Sequence, residues 1–418
     1  MKIDMTKFKS IILLWAVACL TACTQTPPEV KALRAEVEAN LTQNILPFWE
    51  RYTIDPAGGF YGQVGIDGTA VPEADKGAIL NARILWTFSK AAQLYPVAGY
   101  RQWADRAAEY LTTHFIDPEY GGVYWTVASD GTMKDATKQS YATAFAIYGL
   151  AEHYRATGSE RSLQAAKDLY HTLEAKAHDV AKQGYIESFA RDYTRADIKG
   201  VDGMAGATKT MNTHIHIIEA YTTLYQVWPD AGLRANIIEL LDILSSKLYD
   251  AERGHLILYC DDDWHSLEEV DSFGHDIETS WLLCEAANAL GDPQIIQKTN
   301  AQAVKMTEVA LSEGLNAEGV MLYERNAKGY RTNLSWWPQC ETIIGSINAW
   351  QITGEQRFFD AALKNWNYVK THFVDRQHGG WYKGLNAQGQ PTREAKVSLW
   401  NCPYHNSRMV YELLHRLK

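Results

Sequence analysis

Basic residues are in the minority in this sequence, and cysteines are few. Lysine and arginine total 40 against 50 aspartates and glutamates, a formal net charge of -10, with a pI near 5.7. A surface of that sign repels phosphate backbones and argues against nucleic acid as a partner. Of only 6 cysteines in 418 residues, Cys260, Cys284, Cys340 and Cys402 lie well inside the chain. Their spacing fits no zinc pattern, and three of the four fall in or beside apolar helical runs, where a small buried residue is the expected role. His-x-x-x-His, the usual local zinc chelate on a helix, is absent from the 13 histidines. The apolar run Ile11 to Leu20 is too short to span a bilayer as a mature helix.

That run follows Lys2, Lys7 and Lys9 and meets Leu20-Thr21-Ala22-Cys23, which gives it the form of a secretory signal. Small residues directly before a cysteine resemble a bacterial lipobox, whose cysteine is lipidated after cleavage. Residues 1–22 therefore read as a signal peptide, carrying Cys19 away, with Cys23 as lipid anchor and residues 23–28 as a short tether containing two prolines. The expected location is exported, membrane-held only through Cys23 and facing the periplasm.

What the sequence has in quantity is apolar and aromatic surface: 46% hydrophobic residues, 14 Trp and 23 Tyr, enough for a large core. Apolar periodicity places helices at about 29–52, 77–95, 98–114, 139–157, 160–179, 211–228, 230–249, 275–291, 293–312, 338–353, 355–373 and 402–417. Connections alternate. Very short ones occur at Tyr95-Pro96, Thr157-Gly158-Ser159, Trp228-Pro229, Gly291-Asp292-Pro293 and Thr353-Gly354-Glu355, and between these pairs the linkers run to about 25–30 residues. Helices opening after a long linker recur at about 62 to 72 residues, a repeat that predicts six helical hairpins. The long linkers resemble one another at Gly58-Gly59-Phe60, Gly121-Gly122-Val123 and Gly379-Gly380-Trp381, and more weakly at Gly184, Gly254 and Gly319. Each reads as a short β-hairpin. The expected fold is all-α: an (α/α)6 barrel over residues 29–418, even-numbered helices inside, with hairpins lining the active-site mouth. A superhelical solenoid is the alternative, but no polar capping repeat is evident.

Closure would bring the starts of the inner helices together. They carry Arg83 with Trp86, Tyr141, Asn212 with His216 and Glu219, His275 with Glu278, Trp336 and Trp337 with Glu341, and Trp400 with His405. Taken singly, each has a structural reading: a helix cap, a buried ion pair or wall packing. Six independent starts converging on one polar and aromatic cluster favour a site. His275 and Glu278 share a face in the first turn, where a carboxylate can hold an imidazole near neutral titration. His214 and His216 point about 200° apart on a helix, so they cannot share an ion. His216, His275 and His405, from separate helices, remain a conceivable metal set, and Glu278 with Glu341 a conceivable hydrolytic pair.

The motifs Asn81-Ala82-Arg83-Ile84-Leu85-Trp86, Tyr141 to Tyr148, Met211-Asn212-Thr213-His214-Ile215-His216, Gly274-His275-Asp276-Ile277-Glu278, Trp336-Trp337-Pro338-Gln339 and Trp400 to Arg408 resemble the cellobiose and mannobiose 2-epimerases of the N-acylglucosamine 2-epimerase family. The resemblance covers almost the whole mature chain. It implies an (α/α)6 barrel, no metal or nucleotide cofactor, and a disaccharide substrate. It assigns His216, His275 and His405 as catalytic, Glu278 as partner of His275 and Arg83 as stabiliser of charge. Tyr141, Asn212, Trp336, Trp337, Trp400 and Glu341 fall to substrate contact. The expected oligomeric state is a monomer. The export signal departs from the cytoplasmic setting often associated with the family.

Overall fold

The computed structural model describes residues 26–195, 200 and 203–418; the predicted signal peptide and Cys23 lie outside them. Among the described residues twelve helices follow in order. α1 combines Pro28–Asn40 and Leu46–Tyr52 around a π-helical turn, Leu41–Ile45. α2 is Ala78–Leu94, and α3 is Arg101–Tyr110 extended by a second π turn, Leu111–Phe115. Then come α4 Ser140–Thr157, α5 Glu160–Lys176, α6 Met211–Val227, α7 Ala231–Ser246, α8 Phe273–Leu290, α9 Pro293–Gly314, α10 Trp336–Thr353, α11 Gln356–His372 and α12 Tyr404–Arg416.

The even-numbered helices pack side by side in sequence order, and α12 returns to α2, closing the ring. Their burial follows: α4 and α10 are covered on every face for most of their length, whereas α5 and α11 bury only a stripe. Burial on all sides of an inner helix is what two-sided contact demands. The fold is therefore the expected (α/α)6 barrel, with α1 serving as outer partner to α12. The seam is fixed by polar contacts, among them Trp366 Nε1 donating to Glu36 Oε2 at 2.8 Å and Trp381 Nε1 to Asn40 Oδ1 at 3.0 Å.

Short turns end the inner helices, and a left-handed glycine stops three of them: Gly158, Gly291 and Gly354, with φ near +70°. At the other end every outer helix runs into a hairpin, closed at Ile54/Phe60, Ile116/Val123, His178/Tyr185, Leu315/Met321 and Val374/Trp381 and by the ladder Tyr249–Asp250 with His255–Leu256. All six expected hairpins are present. A second set of strands ties neighbouring linkers together: the two residues before an inner helix pair with the next linker, as Lys76–Gly77 with Thr126–Val127 and Lys138–Gln139 with Ser188–Phe189.

Buried lysines stand ahead of four inner helices, three of them in these strands and Lys396 in the linker before α12. Lys76 Nζ meets Asp55 at 2.6 Å, Lys138 meets Asp117 at 2.9 Å, Lys209 meets Asp179 at 3.0 Å and Lys396 meets Asp375 at 2.5 Å. In each pair the aspartate sits in the preceding hairpin, so the ion pair pins the segment leading into the inner helix to it. Before α8 an acid, Asp271, takes the lysine's place and the charges reverse, with Arg253 and Arg325 as its partners. The result is a rigid collar around the mouth, on which the site is built.

Candidate active site

A cavity of about 400 Å³ opens at the mouth. Its wall includes Arg83, Tyr141, Asn212, His216, His275, Glu278, Trp336, Trp337, Trp400 and His405, so residues read separately from six helix starts do meet. Trp86, Glu219 and Glu341 lie off this wall, and Glu341 is the one expected to touch substrate. It is fully buried. One oxygen is shared by His405 Nδ1 at 2.7 Å and Arg408 Nη2 at 2.8 Å, and the other accepts from Trp281 Nε1 at 3.1 Å. The expected substrate contact is thus corrected: Glu341 supports His405 from below.

The histidines have unlike partners. His216 Nδ1 lies 3.0 Å from Glu219 Oε2; with the carboxylate ionised, Nδ1–H donates and Nε2 is left as the lone-pair nitrogen of a ring on the cavity wall. His275 Nδ1 is held by Ser272 Oγ at 2.7 Å. The Glu278 carboxylate, expected beside His275, also ion-pairs with Arg408. The Trp337 ring lies between two of the histidines, 4.7 Å from His275 and 5.4 Å from His405 by centroid. His216 stands apart against Tyr141, at 5.0 Å. His214 belongs to the frame. Its Nδ1 meets the Thr210 carbonyl at 2.7 Å and its Nε2 accepts from the Tyr185 amide at 3.0 Å.

Arg408 and Tyr404 are the functional residues the sequence reading passed over. Arg408 is 1% exposed and bridges Glu219 of α6, Glu278 of α8 and Glu341 of α10, while the Tyr404 hydroxyl donates to Glu219. A usable signal was present: His216/Glu219, His275/Glu278 and His405/Arg408 all stand three apart, which puts a charge one turn beneath each histidine. Burial opposes ionisation of Glu219, but Arg408 and His216 overcome it and hold the acid at about 2. Burial raises Glu341, with the nearby Glu278 carboxylate adding to the effect against Arg408. Burial and then the Arg408 and Arg83 guanidinium groups push His405 well below 6.5. His405 is therefore a neutral imidazole at physiological pH, as a general base requires.

A depressed histidine pKa contributes stability above the unfolded value of about 6.5, and that stability is lost as pH falls toward the folded value. The native chain should therefore unfold at lower urea on acidification below about pH 6.5. His405→Asn, which cannot take up a proton, should flatten that dependence. Urea midpoints measured from pH 5 to 8 would refute this reading if the two curves ran parallel.

Arg83 has a different character. It is 3% exposed, and its described partners are neutral: the Tyr141 hydroxyl at 2.8 Å, Cys402 Sγ at 3.7 Å and the faces of Phe145 and Tyr404 at 4.2 and 4.6 Å. A buried guanidinium on a cavity wall without a carboxylate among these partners is placed to meet negative charge on a ligand. The metal reading fares less well. Glu278, Glu341 and His405 offer ligand atoms within 4.8 Å of one another, but Arg408 already holds both carboxylates. The four inner cysteines are unpaired and buried, as expected. No helix among the described residues is long and apolar enough to cross a membrane.

The profile of the N-acylglucosamine 2-epimerase (GlcNAc 2-epimerase) family matches residues 59–407. Cellobiose 2-epimerase of Bacteroides fragilis is 43% identical over 387 residues, covering 91% of this chain and 98% of the relative. Its counterpart from Dictyoglomus turgidum is 33% identical, covering 93% and 100%. Among solved structures, cellobiose 2-epimerase from Bacillus thermoamylovorans superposes with a TM-score of 0.88 at 35% identity, covering 92% of this chain and all of that one. Similarity of this extent, over a barrel whose inner helix starts form one histidine-rich cavity, places the chain among the carbohydrate epimerases of the N-acylglucosamine 2-epimerase family.

Proposed function

We propose that this enzyme inverts C2 of the reducing-end sugar of β-1,4-linked disaccharides, converting cellobiose to glucosyl-mannose or mannobiose to mannosyl-glucose. The observation that carries the proposal is the joint placement of three histidines and a buried Arg83 with neutral partners around one cavity. The relatives named cellobiose 2-epimerase supply the substrate class.

A reducing sugar conceals its aldehyde in a ring hemiacetal, so the C2 proton becomes acidic only after ring opening. Removing that proton gives a cis-enediolate, and returning one to the opposite face inverts the centre. Two bases on different helices suit this step. In the proposed division His275 and His405 serve the two faces, His216 assists ring opening, and Arg83 meets the charge developing on the enediolate oxygens. Trp337 and Trp400 present apolar ring faces to the sugars. Glu278 and Glu341 make a poor hydrolytic pair, since Arg408 engages both and Glu341 does not reach the wall.

A proton NMR time course with cellobiose and with β-1,4-mannobiose in deuterated water tests the reading. The expected result is the C2 epimer carrying deuterium at C2, unchanged by chelator. Release of monosaccharide would point to a hydrolase, a 2-ketose as main product to a keto-aldose isomerase, and binding without conversion to a carbohydrate-binding lipoprotein; any of the three overturns the proposal. We further propose that Cys23 carries a lipid, so that Cys23→Ser abolishes lipid labelling and releases the chain from the membrane fraction.

A further inference from the structure

The two ends of the barrel differ, and the chain enters at the end opposite the cavity. Inner helices run from the mouth to the far end and outer helices run back. α1 is an outer helix, so Pro28 lies at the far end; α12 is an inner helix and finishes there. The two termini meet, with Thr26 Oγ1 donating to the Lys418 carbonyl at 3.4 Å. At this same end the turn from α2 to α3 is apolar and exposed. Val97 is 98% exposed and Leu94 46%, and between them Tyr95 reaches α1 through its hydroxyl, 3.0 Å from Glu38 Oε1. The exposed apolar turn therefore stands beside the helix from which the N-terminal segment departs.

We infer that the far end of the barrel lies on a lipid bilayer, with Leu94 and Val97 at headgroup level and the sugar cavity opening away from the membrane. This rests on the lipid at Cys23 proposed above. The reach of the tether constrains the orientation. Pro28 stands five positions after Cys23, and a fully extended chain spans at most about 3.6 Å per position, so the tether reaches about 18 Å. An inner helix such as α4, with 18 residues, is about 27 Å long at 1.5 Å per residue. The anchor cannot pass along the barrel and set the mouth on the membrane.

Side-on contact is disfavoured by what the sides expose. The other large apolar side chains exposed among the described residues are Val71, Tyr120, Met133, Val180, Leu267 and Tyr330, and all of these stand in the long linkers at the mouth. The outer helices present none, so the far-end turn is the apolar surface within reach of the anchor.

The test uses the full-length lipidated protein on vesicles of phosphatidylethanolamine and phosphatidylglycerol containing a headgroup spin label. Because the described native cysteines are buried, an environment-sensitive fluorophore can be directed to Val97→Cys or Leu94→Cys at the far end, or to Met133→Cys at the mouth. The far-end probes should shift to the blue and lose emission to the spin label. The Met133→Cys probe should emit as it does in the soluble Cys23→Ser background. Equal quenching at both ends, quenching at Met133→Cys alone, or no quenching at either end of a vesicle-bound chain would overturn the orientation while leaving anchor and epimerase standing. Failure of the native chain to incorporate labelled fatty acid would remove the anchor, and the orientation with it; C2 exchange measured on the same sample keeps that failure separate from loss of the enzyme reading.

Discussion

Arg408→Met is expected to destabilise the barrel by about 3–5 kcal/mol, the range for removing one partner of a buried charge network. In the native layer the Arg408 guanidinium reaches Glu219 Oε1 at 2.5 Å and Glu341 Oε1 at 2.8 Å, and also holds Glu278. These three acids stand on three different inner helices and are all nearly inaccessible to water. Without the cation, like charges confront one another in a dry layer directly beneath the histidines. Arg408→Lys should fall between native and methionine, since a point charge cannot reproduce the planar fork that spans three carboxylates. Adding Glu341→Gln to Arg408→Met should recover part of the lost stability by replacing a buried ionisable carboxyl with a neutral amide. It should not recover epimerisation, because His405 has lost its carboxyl support. Denaturant midpoints of the four proteins decide the matter, and a native midpoint for Arg408→Met would sink the account of the layer.

The architecture was legible because its signals are local and repeated. Gly158, Gly291 and Gly354 stop inner helices in the left-handed conformation, and paired glycines turn the mouth hairpins. Periodicity erred where a local feature intervened: the helix expected from 98 begins at Arg101, since Gly99, with φ +82°, must turn the chain first. The π turns in α1 and α3 left no mark in the apolar pattern.

The site was legible at the level of which residues converge and illegible at the level of which atoms pair. Spacing put Glu278 beside His275, yet a cation some 130 residues further on competes for that carboxylate, and sequence distance carries no information about such competition. Glu341 followed the same logic in reverse, its position in the second turn reading as a wall residue when burial makes it a support. The lysines of the collar were overlooked for a simpler reason. A lysine just before a helix ordinarily reads as solvated, and only the recurrence of aspartate and lysine 21 residues apart, at Asp55/Lys76, Asp117/Lys138 and Asp375/Lys396, marks these as buried.

For the reaction itself the largest expected losses are at the two proposed bases. His275→Asn and His405→Asn should each lower turnover on the order of a hundredfold or more, the loss typical of a positioned acid or base. The two rings come from different helices, α8 and α12, and both lie against Trp337, with centroids 4.7 and 5.4 Å from the indole, and the two-base proposal gives each its own side of the sugar carbon. A single histidine serving both faces would have to cross the substrate. Glu278→Gln should do less, since a hydrogen-bond acceptor remains, whereas Arg83→Lys should be clearly impaired for want of the planar guanidinium. The two-base scheme also predicts that each single variant retains some exchange of the C2 proton with solvent while losing inversion, because one base can still abstract. Deuterium at C2 of recovered substrate, measured against epimer formed, separates these steps. Near-native epimerisation by His405→Asn with loss in His216→Asn would exchange the roles of those two residues, and full activity in both His275→Asn and His405→Asn would end the two-histidine mechanism.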